Sequence, residues 1–183
     1  MKLARAFYAR PCLTVANDLL GKWLCHKAGR KVFDGKIVEV EAYIGQEDQA
    51  CHARFGRTPR ASRLFGPPGH AYVFLIYGMY DCFNVVCEPE HSPAAVLIRA
   101  VEPGAQVNDK TDGPGKLCRA LHITRAHNGL DLCGNRLWIE DRGDYPARIE
   151  ATERIGVEYA GEWARRPWRL IDPDSPFVSR KRR

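Results

Sequence analysis

A chain of 183 residues with 45% hydrophobic and 27% charged side chains has the size and make-up of one globular domain with its own core. Its 28 Lys and Arg against 22 Asp and Glu give a net charge of +6, which suits a polyanionic partner. The most apolar run, 71–86, is too short and too broken by Tyr, Gly and Asp to span a bilayer, and Met1–Arg5 leads into no apolar signal core, so an intracellular protein without membrane contact is expected.

In chain order, Thr14 reads as the cap of a short helix over 15–20 that Gly21 stops. Strands follow over 23–26 and 36–43, joined by a polar turn about Gly29, and 45–57 reads as a loop. Thr58-Pro59 opens a short helix through Leu64, and Gly66-Pro67-Pro68-Gly69 is a turn. The β-rich runs 71–76 and 82–86 are joined by a hairpin-like connection over 77–81. A strand over 94–100, a helix from Thr111–Gly115 through Leu121 and a strand over 136–140 complete the regular elements. Strands come in neighbouring pairs, which predicts an α+β fold: a single domain over 1–178, with a curved, mainly antiparallel sheet, flanking helices and a protruding hairpin. Arg165, Arg166 and Arg169 flank Trp168, and residues 179–183 read as a solvated basic tail.

Gly35–Tyr43 carries the strongest chemical signal. Strand alternation puts Val38, Val40 and Ala42 on one face and Ile37, Glu39, Glu41 and Tyr43 on the other. The first face belongs against a core. The second sets an acid beside an aromatic ring, where a carboxylate can act as a general base; the plain alternative is an edge strand with a solvated acidic face. Tyr77, at the hairpin tip, is either a ring that wedges into a base stack or a turn tyrosine folded back on the sheet. Phe74 and Tyr80, with Tyr43, can form a stacking pocket for a planar ring, although each alone also reads as core. Arg99 sits in an apolar strand and needs a carboxylate, a phosphate, a water or an exit to solvent. His52 can donate to a phosphate or base edge, and Asn84 can address a base or bond backbone. Gly113-Pro114-Gly115-Lys116 lacks the glycine spacing of a nucleotide-hydrolase phosphate loop, yet its backbone can meet a DNA phosphate.

The 7 cysteines lack zinc-knuckle spacing and read as reduced thiols. No cofactor is expected, and no metal. Two alternatives stay open: a Mg²⁺ nuclease using Glu39, Glu41, Glu47 and Asp48, and a DNA-binding module without chemistry.

Val38-Glu39-Val40-Glu41-Ala42-Tyr43, 47–52, Gly56-Arg57-Thr58-Pro59-Arg60, 71–80 with Asn84, 96–103, 113–118, Arg154-Ile155-Gly156-Val157 and 160–164 follow one another in an order that resembles the alkyladenine (3-methyladenine) DNA glycosylase family. The resemblance runs from about Phe7 to Trp168. It implies that a damaged purine is flipped out of double-stranded DNA and its N-glycosidic bond hydrolysed by a monomeric enzyme. It assigns Glu41 to activate the water, Arg99 to help hold it and Tyr77 to insert through the minor groove. The flipped base would stack between Tyr43 on one side and Phe74 and His52 on the other, with Asn84 screening its edge. Met79, Tyr80 and Lys116 would meet the DNA backbone. Phe74 departs from the tyrosine expected there, which keeps the stacking face and removes a hydroxyl. No lysine is placed for a Schiff base, which predicts a monofunctional enzyme, and no dedicated acid is visible for a neutral damaged base.

Overall fold

The computed structural model describes residues 1–179; the basic run Arg180–Arg183, expected as a solvated tail, lies outside them. Two short helices, α1 (Arg5–Tyr8) and α2 (Cys12–Leu19), precede the strands β1 (Trp23–Ala28), β2 (Lys31–Ile44), β3 (Ala71–Ile76), β4 (Tyr80–Val86) and β5 (Ala94–Pro103). Helix α3 (Pro114–Ala120) and the strands β6 (Leu137–Glu140), β7 (Glu150–Thr152) and β8 (Arg169–Ile171) follow. One antiparallel sheet runs β3-β4-β5-β2-β1-β6, with β8 paired to β2 and β7. The α+β expectation therefore holds: a curved antiparallel sheet with few helices.

The long strand β2 organises the sheet. Its first part pairs with β1 through Lys36, and its second part pairs with β8 over Glu39–Glu41, while β5 lies along its other edge from Gly35 to Ile44. Residues 39–41 are thus flanked by strands on both edges, and the flanking strands bring Arg99 and Arg169 to the buried carboxylates there. The polar Lys31–Gly35 opening hides this strand from a sequence reading that begins it at Lys36.

An irregularity corrects the predicted face pattern. Ile37 pairs with Val101 and Glu39 with Ala100, which leaves Val38 extra on β2; Val40 then pairs with Ile98, which leaves Arg99 extra on β5. Such a bulge shifts the alternation by one residue. Ile37 consequently joins Val40 and Ala42 in the main core instead of lining up with Glu39, and Arg99 turns toward Glu39 and Glu41. Against this core pack Val15, Ala16 and Leu19 of α2, Leu117 of α3 and Leu121 just past its end.

Other boundaries move by local chemistry. Helix α2 starts after Pro11, whose carbonyl accepts from Val15 N–H, so Thr14 lies inside the first turn. Thr58 Oγ1 accepts from Ala61 N–H, but the helix it was expected to open is only a 3₁₀ turn, Ser62–Phe65. A second 3₁₀ turn, His52–Phe55, lies in the segment expected to be a plain loop. Ser179, assigned by sequence to the tail, is buried and bonded to Glu39. Among the described residues no helix is long and apolar enough to cross a membrane.

Candidate active site

Glu41 is fully buried and triply hydrogen-bonded. Its Oε2 accepts from the Tyr43 hydroxyl at 2.7 Å and from Arg99 Nη1 at 3.2 Å, and its Oε1 accepts from Ile155 N–H at 2.7 Å. Burial and the Glu41 carboxylate hold the Tyr43 phenol well above its ordinary pKa, so it stays a donor. Burial opposes the charge on Arg99, but Glu41 and Glu39 outweigh it and raise its pKa. Glu41 and Tyr43 meet as their shared strand face implied, and of the partners left open for Arg99 the structure shows carboxylates, Glu39 and Glu41.

Two further buried carboxylates surround this centre. Glu39 is held by Arg99 Nε at 3.0 Å and Arg169 Nε at 2.6 Å. Asp48 forms a bidentate pair with Arg154 at 2.6 and 2.8 Å, and both side chains have no solvent exposure. Arg154 also donates to the carbonyls of Ala42 and Trp163, and its guanidinium stacks 4.8 Å from the Tyr43 ring centre. It therefore fixes both the backbone beside Glu41 and the ring whose hydroxyl bonds Glu41. Sequence reasoning gave Arg154 no role, because its partner lies 106 residues away. Of the four carboxylates in the Mg²⁺ alternative, Glu39, Glu41 and Asp48 are engaged by guanidinium, N–H and hydroxyl donors, and Glu47 is exposed. Among the described residues no group of three His, Cys, Asp or Glu is arranged to hold a metal.

The rings expected to hold a base converge beside this centre. Tyr43 and Phe74 are partly buried against one small cluster that includes Cys51, Leu64, Phe65 and Tyr72. His52 meets Phe74 edge-to-face with ring centres 4.6 Å apart, and its Nδ1 lies 2.8 Å from the Tyr72 hydroxyl. Burial, reinforced by Arg60 and Arg54, pushes the imidazole down to about 4, so His52 is neutral at physiological pH. The Arg60 guanidinium lies 5.1 Å from the Phe74 ring centre. Asn84 is buried and donates from Nδ2 to the carbonyls of Tyr72 and Cys82, the backbone role left open by the sequence.

The hairpin carries the remaining residues. Met79 N–H donates to Ile76 C=O, and both central residues of this turn have positive φ, +50° at Tyr77 and +68° at Gly78. Left-handed backbone is unfavourable for a tyrosine, yet the Tyr77 ring is 80% exposed and stands clear of the sheet. The folded-back alternative is thereby set aside. Met79 and Tyr80 are also exposed, with Tyr80 against Gly115, where an added Cβ would come within 2.8 Å of its ring. Lys116 is exposed and paired with Asp112 at 2.9 Å. A cavity of about 430 Å³ opens elsewhere, between α2 and the 141–149 segment, and none of these residues lines it.

The profile of the methylpurine-DNA glycosylase family matches residues 6–176. A protein of Alkaliphilus oremlandii is 47% identical over 99% of this chain and all of its own length. Proteins of Anaeromyxobacter dehalogenans and Methanocella arvoryzae are 54% and 52% identical over 98% of this chain, and over 86% and 96% of their own lengths. All three are provisionally named 3-methyladenine DNA glycosylases.

Two stability measurements probe this site. Arg154→Met strands Asp48 as a buried, unpaired charge and should lower the unfolding free energy by about 3–5 kcal/mol in a denaturant titration; parental stability would show that the pair holds nothing. His52 binds its proton more readily unfolded than folded, so its contribution to stability is present above its ordinary pKa and is lost as pH falls toward about 4. The melting temperature should therefore drop as the pH falls from about 7 to about 5, through the ordinary imidazole range, and His52→Gln should flatten that drop.

Proposed function

This chain belongs to the methylpurine-DNA glycosylase family and is a DNA glycosylase, and we propose that it flips alkylated purines of the 3-methyladenine type out of duplex DNA and hydrolyses the N-glycosidic bond with a water activated by Glu41. The observation that carries this reading is the Glu41 carboxylate, buried, bonded by the Tyr43 hydroxyl and clamped by Arg99, on a protein of net charge +6. An isolated buried carboxylate is costly, and one that is held by an arginine, a phenol and a backbone N–H beside a ring cluster is suited to base chemistry.

Hydrogen-bond capacity supports a water at Glu41. A carboxylate accepts at about four lone-pair sites, and three donors occupy Glu41, which leaves Oε1 able to accept from one more O–H. In the proposed step the glycosidic electron pair leaves with the purine, whose ring positive charge is thereby discharged. The water oxygen then bonds to C1′ of an oxocarbenium-like sugar, and its proton passes to Glu41. The same negative charge stabilises the cationic sugar. Arg99 holds Glu41 in place and shares in orienting the water.

The ring cluster suits a cationic base. Neutral His52 and Phe74 present uncharged aromatic rings, and a positively charged purine gains from aromatic faces. Tyr43 would cover the opposite side of the base and Asn84 its edge, while Tyr77, held out at the hairpin tip, would fill the gap in the duplex. Met79, Tyr80 and Lys116 are available on the exposed surface for the DNA backbone. The cations in contact with Glu41 and Tyr43 are arginines, which do not form Schiff bases, and this supports a monofunctional enzyme. We read it as an intracellular monomer.

The test is a duplex containing a methylated purine, incubated with the protein and a chelator. Free base and an alkali-labile site are expected; an intact substrate overturns the reading, and a metal-requiring backbone cut would favour a nuclease. Glu41→Gln should bind the damaged duplex while single-turnover base release falls by roughly 10²–10⁴-fold. Retained release would remove Glu41 from the mechanism. Tyr77→Ala should diminish the fluorescence change of an extruded base analogue, and an equal signal in both proteins would return Tyr77 to a turn residue.

A further inference from the structure

We infer that Glu39 and Ser179 are positioning residues that hold Arg99 in the orientation the reaction needs. This rests on the water-activating role proposed for Glu41. Arg99 faces two buried carboxylates with one guanidinium: its Nε meets Glu39 at 3.0 Å and its Nη1 meets Glu41 at 3.2 Å. Guanidinium geometry favours a bidentate grip on a single carboxylate. Were Glu39 neutral or absent, Arg99 would be free to turn and grip both oxygens of Glu41. That grip would consume the acceptor capacity on Oε1 that a water requires. Glu39 anchors the Nε edge, so that only Nη1 addresses Glu41.

Glu39 is itself fixed from the far end of the described chain. Its Oε1 accepts from Arg169 Nε at 2.6 Å and from Ser179 Oγ at 2.7 Å, and its Oε2 accepts from Ser179 N–H at 2.6 Å. Ser179 C=O in turn accepts from Arg169 Nη2 at 3.2 Å, and Arg169 Nη1 donates to Thr152 Oγ1 at 2.9 Å. Every polar atom of Ser179 is thus committed to the Glu39–Arg169 pair, across 140 residues of sequence. The chain runs Ser179–Glu39–Arg99–Glu41 without a gap, all four residues buried.

The experiment compares Glu39→Gln, Ser179→Ala and Ser179→Thr with the parent on a methylated duplex, reading affinity and single-turnover base release at saturating DNA separately. Base release should slow about 10-fold in Ser179→Ala and about 100-fold in Glu39→Gln, the scale set by misplacing a reacting group. Affinity should stay at the parental value, and Ser179→Thr should restore the rate. Parental rates in Ser179→Ala and Glu39→Gln, or losses confined to affinity, overturn the inference. Ser179→Ala keeps the backbone N–H bond and decides the matter where Glu39→Gln fails to fold. A crystal structure of the Ser179→Ala or Glu39→Gln protein gives a readout independent of activity: Arg99 is expected to re-pair with Glu41, and an unmoved Arg99 sinks the proposal. A parent that releases no base would instead defeat the glycosylase reading and leave that structural test standing.

Discussion

Three carboxylates without solvent exposure, Glu39, Glu41 and Asp48, set the terms for this molecule. A buried carboxylate must find positive charge and N–H donors or it will take up a proton. The fold supplies one from β5, one from β8 and one from the segment after β7: Arg99, Arg169 and Arg154. These elements are far apart in sequence and meet only because β2 has β5 along one edge and β8 along the other. The charge pairing and the sheet topology therefore specify one another. A hydrophobic replacement of similar volume can equal such pairs in stability, so what the pairs add is fixed geometry. That geometry includes the one carboxylate assigned to chemistry.

The sequence made part of this legible. Strand β3 is a continuous apolar run with a turn at each end, and its predicted limits coincide with Ala71–Ile76. Glu41 and Tyr43 are two residues apart on a strand, so their shared face could be read directly, and the structure joins them by a hydrogen bond. The bulge could not be read, because Val38 is as good a strand residue as Val40 and nothing local marks it as extra. Its consequence was a misassigned Ile37. Arg154 and Ser179 were illegible for a different reason. Their partners lie more than a hundred residues away, and an arginine or serine carries no periodic pattern that would announce them. Local rules find the face of a strand; only the closed sheet shows which distant cation neutralises it.

The environment of the rings separates two jobs that nearby charges would otherwise confuse. Arg99 pairs with Glu41, and guanidinium groups also lie on two of the rings proposed for the base, Arg154 on Tyr43 and Arg60 on Phe74, while the His52 imidazole itself is held neutral. Arg54 and Arg60 contribute to that neutrality by disfavouring a second positive charge beside them. In the proposed reaction a cationic leaving base would meet the uncharged His52 ring, with the compensating negative charge supplied by Glu41. Phe74 fits the same logic, since a cationic purine departs without a donated proton and a phenol at this position is dispensable for stacking.

Tyr77 shows the opposite balance. Its ring contributes little burial at 80% exposure, and its backbone sits in a region disfavoured for any side chain but glycine's hydrogen. Stability alone would place Gly or Asn at such a turn position. The tip is held nonetheless, by the Met79–Ile76 hydrogen bond, by the permissive Gly78 beside it, and by Tyr80 wedged on Gly115 at the hairpin root. A hairpin tip held in this way under an outward-pointing ring would serve as a preorganised wedge in the insertion proposed for Tyr77. Insertion into DNA would then require little further ordering of the protein, and the unfavourable turn conformation is already present before the substrate arrives.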